Sequence, residues 1–340
     1  MAQRKSPTET TALTPRFTLE QLPSARPDHS DGLADLIEGL DRKPIELPPR
    51  LLYDARGSAL FEAITRLAAY YPTRAELQIL ESHAADILGW VEPDELLELG
   101  SGSSRKTRLL IEAGLERGCR RYRPVDVSES ALREAGEALT VDYPELRVEG
   151  LVGDFAAGLH AGPRRGRRMV LFLGSTLGNL HPAERAQFLG QLARSLRPND
   201  ALLLGYDLVK SAAALNHAYD DPAGVTAAFV RNGLFALGRL GGARLPLAGF
   251  AYEAVWVPEL QRVEMRLVAR RNLAINLPRL DRALRLVEGE YLIAEISTKF
   301  TRAGLAEELR AAGLEPERTL TDAGRRFELV LARPVGPAQA

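Results

Sequence analysis

The chain has little that could cross-link it, draw it to a polyanion or hold it in a bilayer. A single cysteine in 340 residues, Cys119, excludes an intramolecular disulfide and any site built from several thiolates. Lys and Arg number 44 against 45 Asp and Glu, so no overall charge favours nucleic acid or an anionic membrane. No apolar stretch is long enough to span a bilayer, and no secretory signal opens the sequence. The histidines, His29, His83, His160, His181 and His217, lack metal-ligand spacing, and none is expected to stand beside a convincing acid or nucleophile; surface or packing roles and no metal are expected. The basic run Arg164-Arg165-Gly166-Arg167-Arg168 lies in a Gly- and Pro-rich loop and reads as a solvated turn. These absences point to a cytoplasmic, monomeric protein with a small-molecule partner and with neither nucleic acid nor membrane.

What is present is a glycine turn at Glu98-Leu99-Gly100-Ser101-Gly102-Ser103-Ser104-Arg105-Lys106, running from an apolar strand into a helix. Such a turn lets an adenosine-bearing cofactor approach the main chain, with unpaired N–H groups at the helix start. The third glycine of the dinucleotide fingerprint is missing, because Arg105 stands there. S-Adenosylmethionine, which has no pyrophosphate, fits this turn better than a nicotinamide dinucleotide does. The next strand ends on Asp126, where a ribose-binding acid is expected, and Ser128 caps the helix after it. A third strand ends on Asp154-Phe155, an acid and a ring suited to adenine.

Alternation of strand and helix predicts a doubly wound α/β sheet, with strands over 96–99, 122–127, 147–153, 169–174 and 201–206. Helices are predicted over 32–40, 61–67 and 74–88, the last capped by Thr73. After Lys210 the rhythm changes: 222–240 reads as helix, while 250–257, 263–269 and 284–296 alternate as antiparallel strands. Residues 301–312 return to helix, and 317–320 with 327–332 close the chain as an antiparallel hairpin. The organisation expected is a flexible segment 1–30, a discontinuous α+β substrate-binding domain over 31–74 and 210–298, and a cofactor domain over 75–209 and 299–334.

The segment Phe172-Leu173-Gly174-Ser175-Thr176-Leu177-Gly178-Asn179-Leu180 follows the fourth strand, beside the cleft, and leads to a helix starting at Pro182. Its glycines allow close approach and Asn179 offers donor and acceptor; a locally capped helix entrance would use the same residues. Together with Tyr70-Tyr71-Pro72-Thr73-Arg74-Ala75-Glu76, Asp207-Leu208-Val209-Lys210, Ala218-Tyr219-Asp220-Asp221, Glu264-Met265-Arg266 and Glu295-Ile296-Ser297-Thr298-Lys299, these motifs resemble the histidine Nα-methyltransferases of ergothioneine biosynthesis, over about 51–332. That family has the class I S-adenosylmethionine-dependent fold. The resemblance implies three methyl transfers to the α-amino group of L-histidine, giving hercynine, with S-adenosylhomocysteine as by-product.

Carried over position by position, the resemblance implies cofactor contacts at Tyr53, Gly100, Lys106, Asp126, Asp154 and Phe155. It implies that Tyr70, Gly174, Asn179 and Tyr219 hold the amino-acid end, and that Glu295 and Ser297, with Met265 nearby, hold the imidazole. Tyr70 and Asn179 become the candidate catalytic residues that orient the nitrogen. Tyr206, where a smaller residue is expected, and a helix break at Val230-Arg231-Asn232-Gly233 are expected to reshape the pocket. Nα-methylation of another aromatic amino acid, a non-catalytic cofactor-binding protein and a nicotinamide oxidoreductase are the other readings.

Overall fold

A computed structural model of the chain describes residues 16–22, 33–155 and 164–335. In chain order its first strands are β1 (Phe17–Gln21), β2 (Ile45–Glu46), β3 (Glu95–Leu99), β4 (Arg121–Asp126), β5 (Arg147–Val152), β6 (Arg168–Phe172) and β7 (Ala201–Asp207). The later ones are β8 (Phe250–Val257), β9 (Arg262–Ala269), β10 (Leu273–Leu277), β11 (Arg282–Leu286), β12 (Tyr291–Thr298), β13 (Leu314–Thr321) and β14 (Phe327–Pro334). The helices are α1 (Leu33–Asp41), α2 (Ala55–Thr65), α3 (Tyr71–Val91), α4 (Arg108–Leu115) and α5 (Glu129–Asp142), then α6 (Pro182–Ser195), α7 (Ala212–Tyr219), α8 (Val225–Gly241) and α9 (Arg302–Ala311).

The larger sheet has the order β1-β5-β4-β3-β6-β7-β14-β13. It is parallel from β1 to β7, and β14 and β13 add an antiparallel hairpin at the far edge. Every residue of β3, β6 and β7 is buried, as expected of parallel strands covered by helices on both faces. This is the class I methyltransferase architecture. Strand order reverses between β3 and β6, so their carboxyl ends open the crevice where such sheets bind ligands.

A second sheet, β2-β12-β9-β8, pairs β12 with β9 antiparallel. Beside it β10 and β11 form a separate hairpin. One apolar cluster joins Leu36, Leu52 and Tyr70 with Leu234, Leu267 and Leu292, whereas the larger sheet packs two other clusters on its faces. After β12 the chain crosses to the larger sheet: Phe300 donates its N–H to Asp207 at 2.9 Å and pairs as a bridge with Leu208.

Several predicted boundaries differ. Within the segment read as flexible, Phe17–Gln21 forms the edge strand β1, its Phe17 ring filling the space a side chain on Gly136 would need. Residues 1–15 and 23–30, with His29, and likewise His160, lie outside the described residues. Helix α3 begins at Tyr71 with Tyr70 as its N-cap, so Thr73 lies inside the first turn and caps nothing. Helix α2 starts earlier than predicted, because Asp54 caps it by accepting from Gly57 N at 2.9 Å. Val230 to Gly233 do not break α8; Asn232 is buried within it and donates to Asp54 at 2.8 Å. The Tyr206 hydroxyl bonds Glu328, while Asp207 is held by Tyr71, so the two side chains leave opposite faces of β7 and Tyr206 does not reshape the cleft.

The 3₁₀ turn Thr176–Asn179 lies tight against β12, where a Cβ on Gly178 would come within 2.6 Å of the Thr298 carbonyl oxygen. Gly178→Ala is therefore expected to lower stability by about 1–3 kcal/mol, read as a lower denaturant midpoint at constant m. Gly190→Ala, in α6, meets only the flexible Arg194 guanidinium at 3.4 Å. It should be neutral or slightly stabilising. Equal midpoints for the two variants would show that this contact is not tight.

Candidate active site

The glycine turn is shaped by positive φ at Gly100 (71°) and Gly102 (51°). Gly100 N and Ser101 N donate to Val125 O at 2.8 and 3.2 Å. Gly102 N and Ser128 N donate to the Asp126 carboxylate at 2.8 and 2.9 Å. The turn is thus tied to the end of β4. Burial raises the pKa of Asp126 above the usual carboxylate range, against the pull of those amides. Phe155 packs edge-on to Phe172 and Phe188, with centroids at 5.3 and 5.8 Å. A side chain on Gly100 would touch the Phe155 ring at 3.4 Å.

An adenosine-bearing ligand fits this arrangement. Among the described residues, nothing comes within 4 Å of where a Cβ on Gly102 would stand, and none is a hydrogen-bond partner of the buried Ser101 Oγ. Under the turn, Glu98 accepts from Tyr122 and from Thr107 Oγ1, the latter at 2.7 Å. Burial pushes its carboxyl up to about 7. Across the crevice, fully buried Glu76 accepts from Gly174 N at 2.8 Å and pairs with Lys106. One acid therefore holds the turn after β6 and the lysine after the glycine turn.

The second cluster centres on Glu295. A β-bulge in β12 between Ile293 and Glu295 resets the register so that Glu295 lies opposite Met265. Tyr53 hydroxyl and Asn179 Nδ2 both donate to Glu295 Oε1, at 3.1 and 3.0 Å, and no described residue donates to Oε2. Burial pushes the carboxyl up to about 7, opposed by the Tyr53 bond and by Lys299. The side chain remains only 6% exposed. Two residues on, Ser297 Oγ lies 2.9 Å from the Tyr219 hydroxyl. Tyr70 stands edge-on to Tyr219 (5.8 Å) and Phe61 (6.4 Å), and Tyr53 edge-on to Phe61 (5.7 Å) and Phe229 (5.3 Å).

This geometry joins Tyr53, Asn179 and Glu295 directly, and Tyr219 with Ser297. Tyr53, expected at the cofactor, donates its hydroxyl to the acid of β12, and Asp126 is close enough to add to the rise in its pKa that burial dominates. Asp154 and Phe155 lie beside the glycine turn end of the cleft, and Asp154 is not without a partner. Of the histidines, His181 does stand beside an acid: its Nε2 is 2.9 Å from Glu46, whose carboxyl is thereby held down at about 2.

Residues 33–334 match the family profile of histidine-specific, S-adenosylmethionine-dependent methyltransferases. The chain belongs to that family. It is 46% identical over 299 residues to the histidine N-alpha-methyltransferase of Mycolicibacterium smegmatis, covering 88% of this chain and 93% of that one. It is 45% identical, with the same coverage, to the enzyme of that name from Mycobacterium tuberculosis. Ergothioneine biosynthesis protein 1 of Neurospora crassa is 38% identical over 197 residues, 56% of this chain and 22% of that protein.

Within this methyltransferase, sequence patterns alone did not single out Glu76, Asp207 or Lys299. Each sits inside a recognised motif, but its partners lie far along the chain. An acid in the second turn of α3, with Pro72, Thr73, Ile79 and Leu80 and no basic residue at helical spacing on its face, is the signal that could have marked Glu76. Glu76→Gln keeps an acceptor for Gly174 N but loses the charge on Lys106. S-Adenosylmethionine affinity should fall about tenfold, the worth of one charged hydrogen bond, as measured by calorimetry. An unchanged affinity would remove Glu76 from the cofactor side.

Proposed function

We propose that this methyltransferase transfers methyl groups to the α-amino group of L-histidine, three in succession, giving hercynine and S-adenosylhomocysteine, the chemistry of ergothioneine biosynthesis. The observation that carries the reading is the Glu295 carboxylate, held out of water with Oε1 doubly engaged and Oε2 open to a donor. A ring N–H supplies such a donor, and a buried carboxylate discriminates strongly for it.

When bound, S-adenosylmethionine supplies a methyl group on a positively charged sulfur. On this reading Asp126 receives the ribose hydroxyls, Phe155 and Asp154 the adenine, and Gly100 and Lys106 the amino-acid end of the cofactor. Glu295, Ser297 and Met265 hold the imidazole, with Tyr53 steadying Glu295. Tyr70, Gly174, Asn179 and Tyr219 hold the α-amino and carboxylate groups. Burial raises the pKa of Tyr70 and Tyr219 above that of an ordinary phenol, so at neutral pH both act as neutral hydrogen-bonding groups rather than phenolate bases. The α-amine, with a pKa of about 8, is partly neutral without a dedicated base. Alignment and exclusion of water then carry the rate.

Incubating the purified chain with each amino acid and methyl-labelled cofactor tests the reading. Mass gains of one, two and three methyl groups on histidine alone are expected; transfer to another aromatic amino acid, or to none, would overturn it. Because burial raises the Glu295 carboxyl to about 7, it is largely protonated in the free protein below that pH and ionised above it. Histidine affinity should therefore tighten as pH rises through about 7. Glu295→Gln should weaken histidine about tenfold or more, flatten this profile and leave cofactor affinity unchanged. A profile that survives the substitution would exclude Glu295 as the titrating group.

A further inference from the structure

Lys299 is fully buried, and the roles above leave it without a task. All three of its N–H groups have partners: the Tyr219 oxygen at 2.6 Å, Ser297 Oγ at 2.8 Å and the Asp207 carboxylate at 3.0 Å. Asp207 also accepts from the Tyr71 hydroxyl at 2.7 Å and from Lys210 at 2.6 Å. Two cations, the fully buried Lys299 and the partly buried Lys210, thus share this one carboxylate. Burial lowers the Lys210 pKa to about 8, opposed by the Asp207 carboxylate.

The hydroxyls above Lys299 are equally constrained. Ser297 Oγ lies 2.9 Å from the Tyr219 oxygen, and the Tyr70 ring stands edge-on to Tyr219 at 5.8 Å. The two hydroxyls carry two protons but share one mutual contact, so one proton has no acceptor between them. Lys299 meanwhile occupies a lone pair on both Tyr219 and Ser297, which makes each a poorer acceptor and a better donor.

The geometry points to Lys299 as a positioning residue that turns the Tyr219 hydroxyl, at the amino-acid end of the cleft, into a donor, so that the site selects substrates bearing a free carboxylate. This rests on the histidine reading and extends it: an amino acid is chosen over the amine, alcohol or ester sharing its ring. Lys299 touches the substrate nowhere in this account. It acts by committing lone pairs that would otherwise accept.

Binding of histidine, histidinol and histamine to protein loaded with S-adenosylhomocysteine, read by calorimetry, tests this. The wild-type protein should prefer histidine, and Lys299→Met should reduce that preference about tenfold, roughly one charge-assisted hydrogen bond, with S-adenosylhomocysteine affinity within about twofold. Asp207→Asn, which keeps the lysine and its donated bonds, should keep the preference. If Lys299→Met does not fold because Asp207 is left unpaired, the double variant D207N/K299M removes both charges of the pair and carries the same measurement. A lysine of merely structural value would weaken all three ligands alike, and an unchanged preference overturns the inference. Failure of the histidine reading would look different: the wild-type protein itself would not methylate histidine.

Discussion

A carboxylate kept out of water is the constraint on which this site depends. Stripping an ionised carboxylate of its hydration costs several kcal/mol even in a relaxed protein interior, and Glu295 is 6% exposed. Two donors, Tyr53 and Asn179, offset part of that cost, yet both fall on the same oxygen. The free protein is left with an acid whose pKa sits near 7 and whose second oxygen has no described donor. A ligand that brings an N–H to that oxygen therefore gains more than a surface bond would give, because it completes a desolvation already made. On the proposed reading, selectivity for the ring follows from incompleteness in the free protein.

Everything that keeps Glu295 in place comes from a different part of the chain. The bulge in β12 sets its direction, the 3₁₀ turn after β6 brings Asn179, and the segment before α2 brings Tyr53. The turn can reach β12 only because Gly178 lets its backbone pass against Thr298. The strand is fastened in turn where it meets the larger sheet, by the Phe300 bond to Asp207 and the Lys299 ion pair with the same residue. Asp207 ends β7, and Tyr71, which it also holds, begins α3 beside Tyr70. One buried acid thereby registers the second sheet against the cofactor sheet. Glu76 does the corresponding work across the crevice, between Gly174 and Lys106.

Local chemistry explains which features were legible in the sequence. The glycine turn, the acid ending β4, the Ser128 cap and the closing hairpin each announce themselves within a few residues, through positive φ, a strand end or a cap. The strand β1 did not, because FTLEQ is short and edge strands need no two-sided apolar pattern. Nothing nearby in sequence shows that the Tyr53 hydroxyl meets an acid 242 positions away. His181 and Glu46, 135 positions apart, escaped notice for the same reason. Burial is what reveals Glu76, Asp207 and Lys299, and burial of a charged side chain is a property of the fold rather than of its neighbours along the chain.

The same burial decides how protons leave during the proposed reaction. Each of the first two methyl transfers to an α-amine yields a cation that must lose a proton before the next, whereas the third yields a quaternary nitrogen with none to lose. Histidine entering as an ammonium ion thus releases three protons in all. The phenols at the cleft are pushed too high to take them, and Glu295 is occupied with its own donors. An amine of pKa about 8 instead gives its proton to water within the range where cells operate. A strong base beside the nitrogen would hold the amine by a charged bond and compete with its lone pair turning toward the sulfur. A cleft that orients with neutral hydroxyls and an amide leaves the lone pair free, and it lets the nitrogen rotate as methyl groups replace its protons, until valence itself ends the series.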